Sequence, residues 1–83
     1  MKKFLYFSAP WCGPCKQLGP IMDELQTEGM TVQKIDVDSN PEICQSFNVR
    51  NVPTVVLQVD NIEKGRKIGL GSKPMYIDLY NQG

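Results

Sequence analysis

Two cysteines stand three residues apart in Trp11-Cys12-Gly13-Pro14-Cys15, directly after the short apolar run Phe4–Phe7. A pair so close spans too small a loop to staple a fold, and a structural disulfide framework requires an even number of widely spaced cysteines. The only other cysteine, Cys44, leaves the count odd. What the spacing allows is reversible exchange, in which one thiol attacks a disulfide in another molecule and its neighbour resolves the mixed disulfide. The competing reading of such a pair is half of a zinc site. With Cys44 as the one further thiol and no histidine in the chain, ligands for the other half are scarce.

The rest of the composition narrows the field. A chain of 83 residues has room for one domain, residues 1–83, burying roughly 60% of its unfolded surface. Nine basic and nine acidic residues give zero formal net charge without a like-charged block. That argues against an electrostatic binder of nucleic acid or of a membrane surface. The lack of histidine excludes imidazole catalysis and haem attachment through C-x-x-C-H. The opening Met1-Lys2-Lys3-Phe4-Leu5-Tyr6-Phe7 mimics the start of a signal peptide, but its apolar run is short and cleavage beyond it would remove the cysteines. The expectation is a buried strand in a mature cytoplasmic protein. No segment approaches the roughly 20 apolar residues of a membrane span. Neutral charge and a compact layout lead us to expect a monomer.

Along the chain, Phe4–Phe7 shows no polar alternation, the pattern of a strand buried on both faces. Leu18, Ile21, Met22 and Leu25 recur at i, i+3, i+4 and i+7, which predicts a helix from about Gly13 to Glu28. Gly29 suits a left-handed C-terminal cap, and Pro20 removes a backbone hydrogen bond and bends the axis. Thr31–Val37 predicts a second strand. Asn40-Pro41 predicts an N-cap and first helical residue for a short helix to about Phe47. Thr54–Val59 is rich in β-branched residues, Asp60-Asn61 makes a turn, and Glu63–Gly69 returns antiparallel. Ser72 caps a last helix in which Met75, Ile77, Leu79 and Tyr80 form an imperfect apolar face. The order β-α-β-α-β-β-α is an α/β fold, a four-stranded mixed sheet flanked by helices. Its first two strands are expected to be parallel, with a right-handed crossover.

This layout joins Trp11-Cys12-Gly13-Pro14-Cys15-Lys16 to Pro20, then to Val52-Pro53-Thr54, then to Gly69. In these residues and their spacing the chain resembles a thioredoxin, from about Phe4 to the C-terminus. It lacks the N-terminal strand and helix of an ordinary thioredoxin, and in layout is closer to glutaredoxins. The resemblance implies a minimal thioredoxin fold with a redox-active Cys12–Cys15 disulfide and no other cofactor or metal. Cys12 is expected at a helix N-terminus, where unpaired N–H groups and the helix dipole stabilise an attacking thiolate. Cys15, one turn further in and less exposed, is the expected resolving thiol, and Gly13-Pro14 sets the redox poise. Pro53 is expected to be cis and opposite the cysteines, with Val52 offering backbone hydrogen bonds to an extended client. Apart from the resemblance, Pro53 reads as the start of an edge strand. Trp11 is expected to lie exposed beside Cys12, covering the groove.

The chain also departs from the family pattern. Thioredoxins usually keep a buried aspartate six positions before the first cysteine, as proton acceptor for the resolving thiol; here that position is Tyr6. Lys34 matches the lysine that partners this aspartate. Proton transfer at Cys15 is therefore expected to rely on water, Lys34 or the Tyr6 hydroxyl, the other reading being that Tyr6 fills core space. Ser8 stands where the family often has a second tryptophan. Cys44 reads as a small buried apolar residue, or as a regulatory thiol forming an intermolecular disulfide.

The resemblance implies a protein-disulfide reductase working by dithiol exchange, fed by a thioredoxin-reductase-like flavoenzyme, with ribonucleotide reductase as a typical client. Two alternatives remain. Gly69-Leu70-Gly71-Ser72, Lys16 and Arg50 permit a glutathione-dependent, glutaredoxin-like enzyme, although Gly13-Pro14 stands where glutaredoxins more often carry Pro-Tyr. The other alternative is a thioredoxin-fold partner subunit with incidental redox activity.

Overall fold

The computed structural model describes residues 1–83. Its elements follow the expected order: β1 (Lys2–Ser8), α1 (Gly13–Thr27), β2 (Val32–Asp36), α2 (Pro41–Ser46), β3 (Thr54–Val59), β4 (Ile62–Ile68) and α3 (Lys73–Gln82). The strands form one mixed sheet in the order β2-β1-β3-β4. Strand β1 runs parallel to β2, with Phe4 opposite Val32 and Ser8 opposite Asp36. Its other edge pairs antiparallel with β3, from Lys2 opposite Val59 to Phe7 opposite Thr54. The Asp60-Asn61 turn joins β3 to β4 with both residues at positive φ, 52° and 69°. That geometry matches the twist of a two-residue hairpin.

The four-residue apolar run of β1 is buried on both faces because residues alternate across the sheet. Phe4 and Tyr6 pack with Leu18, Met22 and Leu25 of α1 and with Tyr76 of α3. Leu5 and Phe7 face the opposite way with Ile35 and Val56, under Ile43, Cys44 and Phe47. The sheet thus lies between α1 and α3 on one side and α2 on the other. Of the helix face read from Leu18, Ile21, Met22 and Leu25, Ile21 is partly buried and the other three are fully buried. Gly29, at φ 100°, closes α1 in the left-handed conformation expected of it. No helix is long and apolar enough to cross a membrane.

Two local expectations need correction. Asn40 is the N-cap residue of α2 with Pro41 after it, as expected, and what differs is that its side chain makes no capping bond to that helix. Its amide instead donates to the Asp36 carbonyl at 2.9 Å, tying the end of β2 to the start of α2. In α3 the fully buried residue is Tyr76, which lies outside the expected apolar face; Met75, Ile77, Leu79 and Tyr80 are partly buried around it. Ser72 does cap α3, accepting from the Met75 amide at 3.4 Å. The Tyr76 hydroxyl accepts from the Gly71 amide at 3.1 Å and lies 3.4 Å from the Gly69 carbonyl, so one residue joins the core to the loop that leads into α3.

Removing this anchor should cost in two separable parts. Tyr76→Phe keeps the ring and loses the loop contacts, lowering the unfolding free energy by about 1 kcal/mol. Tyr76→Ala also removes the ring from the core and should lower it by about 3–5 kcal/mol. Urea unfolding of the two variants measures both.

Candidate active site

The end of β1 feeds the cysteine loop straight into α1. Cys12 is the N-cap of that helix, with Gly13-Pro14 opening its first turn. Cys12 and Cys15 are joined as a disulfide, their Cα atoms 5.3 Å apart. The Cys15 amide points at the Cys12 sulfur at 3.2 Å. A sulfur thus takes the place of the oxygen that usually satisfies a first-turn N–H, and the helix N-terminus favours negative charge there. Both cysteines are buried with Ala9 and packed by Val37 and Val52. The expected difference in exposure between them is not found: Cys12 is 4% and Cys15 6% exposed, both covered by the same neighbours, Ala9, Val37 and Val52.

Trp11 stands 68% exposed beside the pair. Its indole N–H donates to the Asp38 carboxylate at 2.9 Å. Asp38 is a site residue that the sequence reading missed. The signal for it was Asp36-Val37-Asp38 at a strand end, where the Asp38 amide donates to the Asp36 carboxylate at 2.9 Å in a local turn. The Val52–Pro53 peptide bond is cis. Behind it the Gly69 amide donates to the Pro53 carbonyl at 2.8 Å, with Gly69 at φ 87°. Val52 packs against the cysteines, while its amide and carbonyl take no hydrogen bond from the rest of the chain. A groove of about 520 Å³ runs from here, lined by Trp11, Val37, Cys44, Val49, Arg50 and Val52. Cys44 is half-buried, and burial pushes its thiol above the usual range.

A second cleft, about 310 Å³, is lined by Tyr6, Ser8, Cys15, Lys16, Lys34 and Asp36, among others. The structure brings Tyr6 and Lys34 to Cys15, but their polar atoms are engaged elsewhere. The Tyr6 hydroxyl donates to the Cys15 carbonyl at 3.0 Å rather than to the sulfur. Burial pushes the Tyr6 phenol upward and the charge of Asp23 adds to this, against a hydrogen bond with Ser8 that pulls it down. The Lys34 ammonium pairs with Asp23 at 2.5 Å. No group of cysteine, aspartate or glutamate side chains is arranged to hold a metal ion.

The sequence model of the thioredoxin family matches residues 2–78. The chain belongs to the thioredoxin family. It is 40% identical over 79 residues to the thioredoxin of Rickettsia felis, a match covering 92% of this chain and 75% of that one. With the thioredoxin of Chlamydia trachomatis it shares 38% over 78 residues, covering 92% and 76%. Among solved structures it is similar to a mutant thioredoxin from Halobacterium salinarum, with a TM-score of 0.91 and 36% identity over 98% of this chain and 73% of that one. The protein is a thiol–disulfide oxidoreductase with an adjacent Cys12–Cys15 pair.

Two outcomes follow from the surroundings of the site. A phenol whose folded pKa is raised holds its proton more tightly in the native state, so its contribution is complete below the unfolded value of about 10 and is lost as pH rises through the folded one. The unfolding free energy of the protein should therefore fall above about pH 10, and fall less in Tyr6→Phe, as read by urea unfolding across alkaline pH. In the reduced protein, iodoacetamide at neutral pH should label Cys12 at least about tenfold faster than Cys44, since the raised thiol holds little thiolate. Mass spectrometry of timed samples gives both rates.

Proposed function

We propose that Cys12 is the attacking thiol and Cys15 the resolving thiol of a single-domain protein-disulfide reductase. The observation that carries this reading is the Cys15 amide aimed at the Cys12 sulfur at 3.2 Å, at the start of α1. A helix N-terminus is worth about 0.3–2 kcal/mol to a negative charge, enough to lower a thiol pKa by about one unit at the upper end. In the reduced protein the Cys12 thiolate attacks one sulfur of a client disulfide. The client S–S bond breaks, one client sulfur leaves as a thiolate that takes up a proton, and the other stays bonded to Cys12. Cys15 then loses its proton and attacks the Cys12 sulfur, displacing the second client thiolate. Two electrons pass to the client, and Cys12–Cys15 is oxidised to the disulfide.

The groove beside Trp11 and Val52 supports an extended client. The free amide and carbonyl of Val52 are suited to pair with a client backbone, binding varied sequences without reading their side chains. Gly13-Pro14 tunes how readily the disulfide closes. No cofactor is needed beyond the disulfide itself. A thioredoxin-reductase-like flavoenzyme restores the dithiol, and ribonucleotide reductase stands among the clients that the family suggests. The protein acts as a cytoplasmic monomer without nucleic-acid or membrane partners, in keeping with its zero formal charge.

Oxidation of NADPH in two parallel couplings tests this reading, with insulin as the disulfide acceptor. Turnover is expected with thioredoxin reductase and not with glutathione plus glutathione reductase. The reverse result would transfer the protein to the glutathione-dependent reading. Cys12→Ser should abolish turnover, and Cys15→Ser should leave a stable mixed disulfide with the client, visible by mass spectrometry.

A further inference from the structure

We propose that Asp36, acting through water in the cleft beneath Cys15, accepts the proton that Cys15 gives up when it resolves the mixed disulfide. The proposal rests on the assignment of Cys15 as resolving thiol. Parallel pairing places Tyr6 opposite Lys34 and Ser8 opposite Asp36. Because side chains alternate along each strand, all four stand on the sheet face covered by α1, where Phe4 and Tyr6 meet Leu18 and Met22. At the open end of this face Tyr6, Ser8, Lys34 and Asp36 line one cleft with Cys15. The cleft volume of about 310 Å³ admits several water molecules, and its polar walls supply the two to four partners each requires.

The groups around Cys15 sort by what they can do with a proton. From α1 come Lys16, a cation without a free lone pair, and Asp23, whose carboxylate is paired with Lys34. From β1 comes Tyr6, whose proton is committed to the Cys15 carbonyl and whose phenol burial keeps neutral. From β2 come Lys34, held by Asp23, and Asp36. Asp36 is half-buried; one carboxylate oxygen accepts from the Asp38 amide at 2.9 Å, and the other makes no hydrogen bond within the chain. It is therefore the one carboxylate lining the cleft, with an oxygen left over. The step balances simply. The Cys15 S–H proton passes through water to Asp36, the Cys15 thiolate forms the bond to Cys12, and the Cys12–client bond breaks. The departing client thiolate takes a proton from solvent, and Asp36 returns its own to solvent.

Asp36→Asn keeps an oxygen for the Asp38 amide and removes the proton acceptor. Reaction of the reduced protein with 5,5′-dithiobis(2-nitrobenzoate) separates the steps in stopped flow. Attack by Cys12 releases the first chromophoric thiolate, and resolution by Cys15 releases the second. In Asp36→Asn the first phase should match wild type. The second should slow at least about tenfold at pH 7, a floor set below the 10²–10⁴-fold range of directly placed acids and bases because water intervenes. Its rate should then climb with pH toward that of an unassisted thiol of pKa about 8.5, and Asp36→Glu should restore most of the loss. A second phase with the wild-type pH profile in Asp36→Asn overturns the proposal. So does equal slowing of both phases, or an Asp36→Glu variant no faster than Asp36→Asn. Cys15→Ser should keep the first phase and lose the second. If Cys12→Ser keeps the first phase instead, the assignment of the two thiols is what fails, and the role of Asp36 falls with it.

Discussion

Everything in this molecule hangs on strand β1 having no free edge and no free face. Its backbone is paired on one side with β2 and on the other with β3. Its side chains from Phe4 to Phe7 are buried above and below. A strand so enclosed has one register open to it, since a slip by one residue would exchange the two buried faces. The position of Ser8, and of the loop that follows it, is settled by that register. Cys12 is therefore placed by the core, a short loop beyond the last apolar pair of the sheet, rather than by any interaction of its own.

From that fixed point the chemistry is assembled out of backbone. The sulfur of Cys12 stands where a helix cap stands, and the amide that polarises it belongs to its own redox partner. Val52 contributes an amide and a carbonyl with no partner in the chain, held in place by Pro53 and Gly69 behind it. Polar side chains gather in the cleft under Cys15, where the Tyr6 phenol is bonded to the backbone. The alternation that buries Phe4 and Tyr6 also lines up Ser8, Lys34 and Asp36 where the hydrophobic cover runs out. Core packing and the polar cleft are two ends of a single face.

Much of this was legible from the residues. Elements with strong local grammar were read nearly to the residue: Thr54–Val59, the Asp60-Asn61 turn and the Gly29 stop each declare themselves through β-branching or left-handed backbone. The cysteine pair was legible from its spacing, whereas the cis Pro53 was legible only through the resemblance to thioredoxins, since alone it read as the start of an edge strand. What stayed hidden depended on partners distant in sequence. Tyr76 is one of two tyrosines in α3 and was passed over for Tyr80; only its packing with Phe4 and Leu18 in the core makes it the anchor. Asn40 carried the composition of a cap, yet the carbonyl of Asp36 lay closer to hand. Asp36 read only as one residue of the strand Thr31–Val37, and Asp38, just past it, went unread. Their importance comes from what β1 and the cysteine loop bring alongside them. Exposure of the two cysteines was likewise unreadable, since it is set by Val37 and Val52, which come from elsewhere in the chain.

Trp11 is the chain's one tryptophan, and it stands next to the disulfide with its indole tethered to Asp38. Disulfides quench excited indoles by accepting an electron over short distances, and thiols do so differently. The tether limits how far the ring can swing away from its neighbours. The intrinsic tryptophan emission of the whole protein therefore comes from a single fluorophore beside a single reactive bond. The fold has built an optical gauge of its own oxidation state, readable in solution without a label.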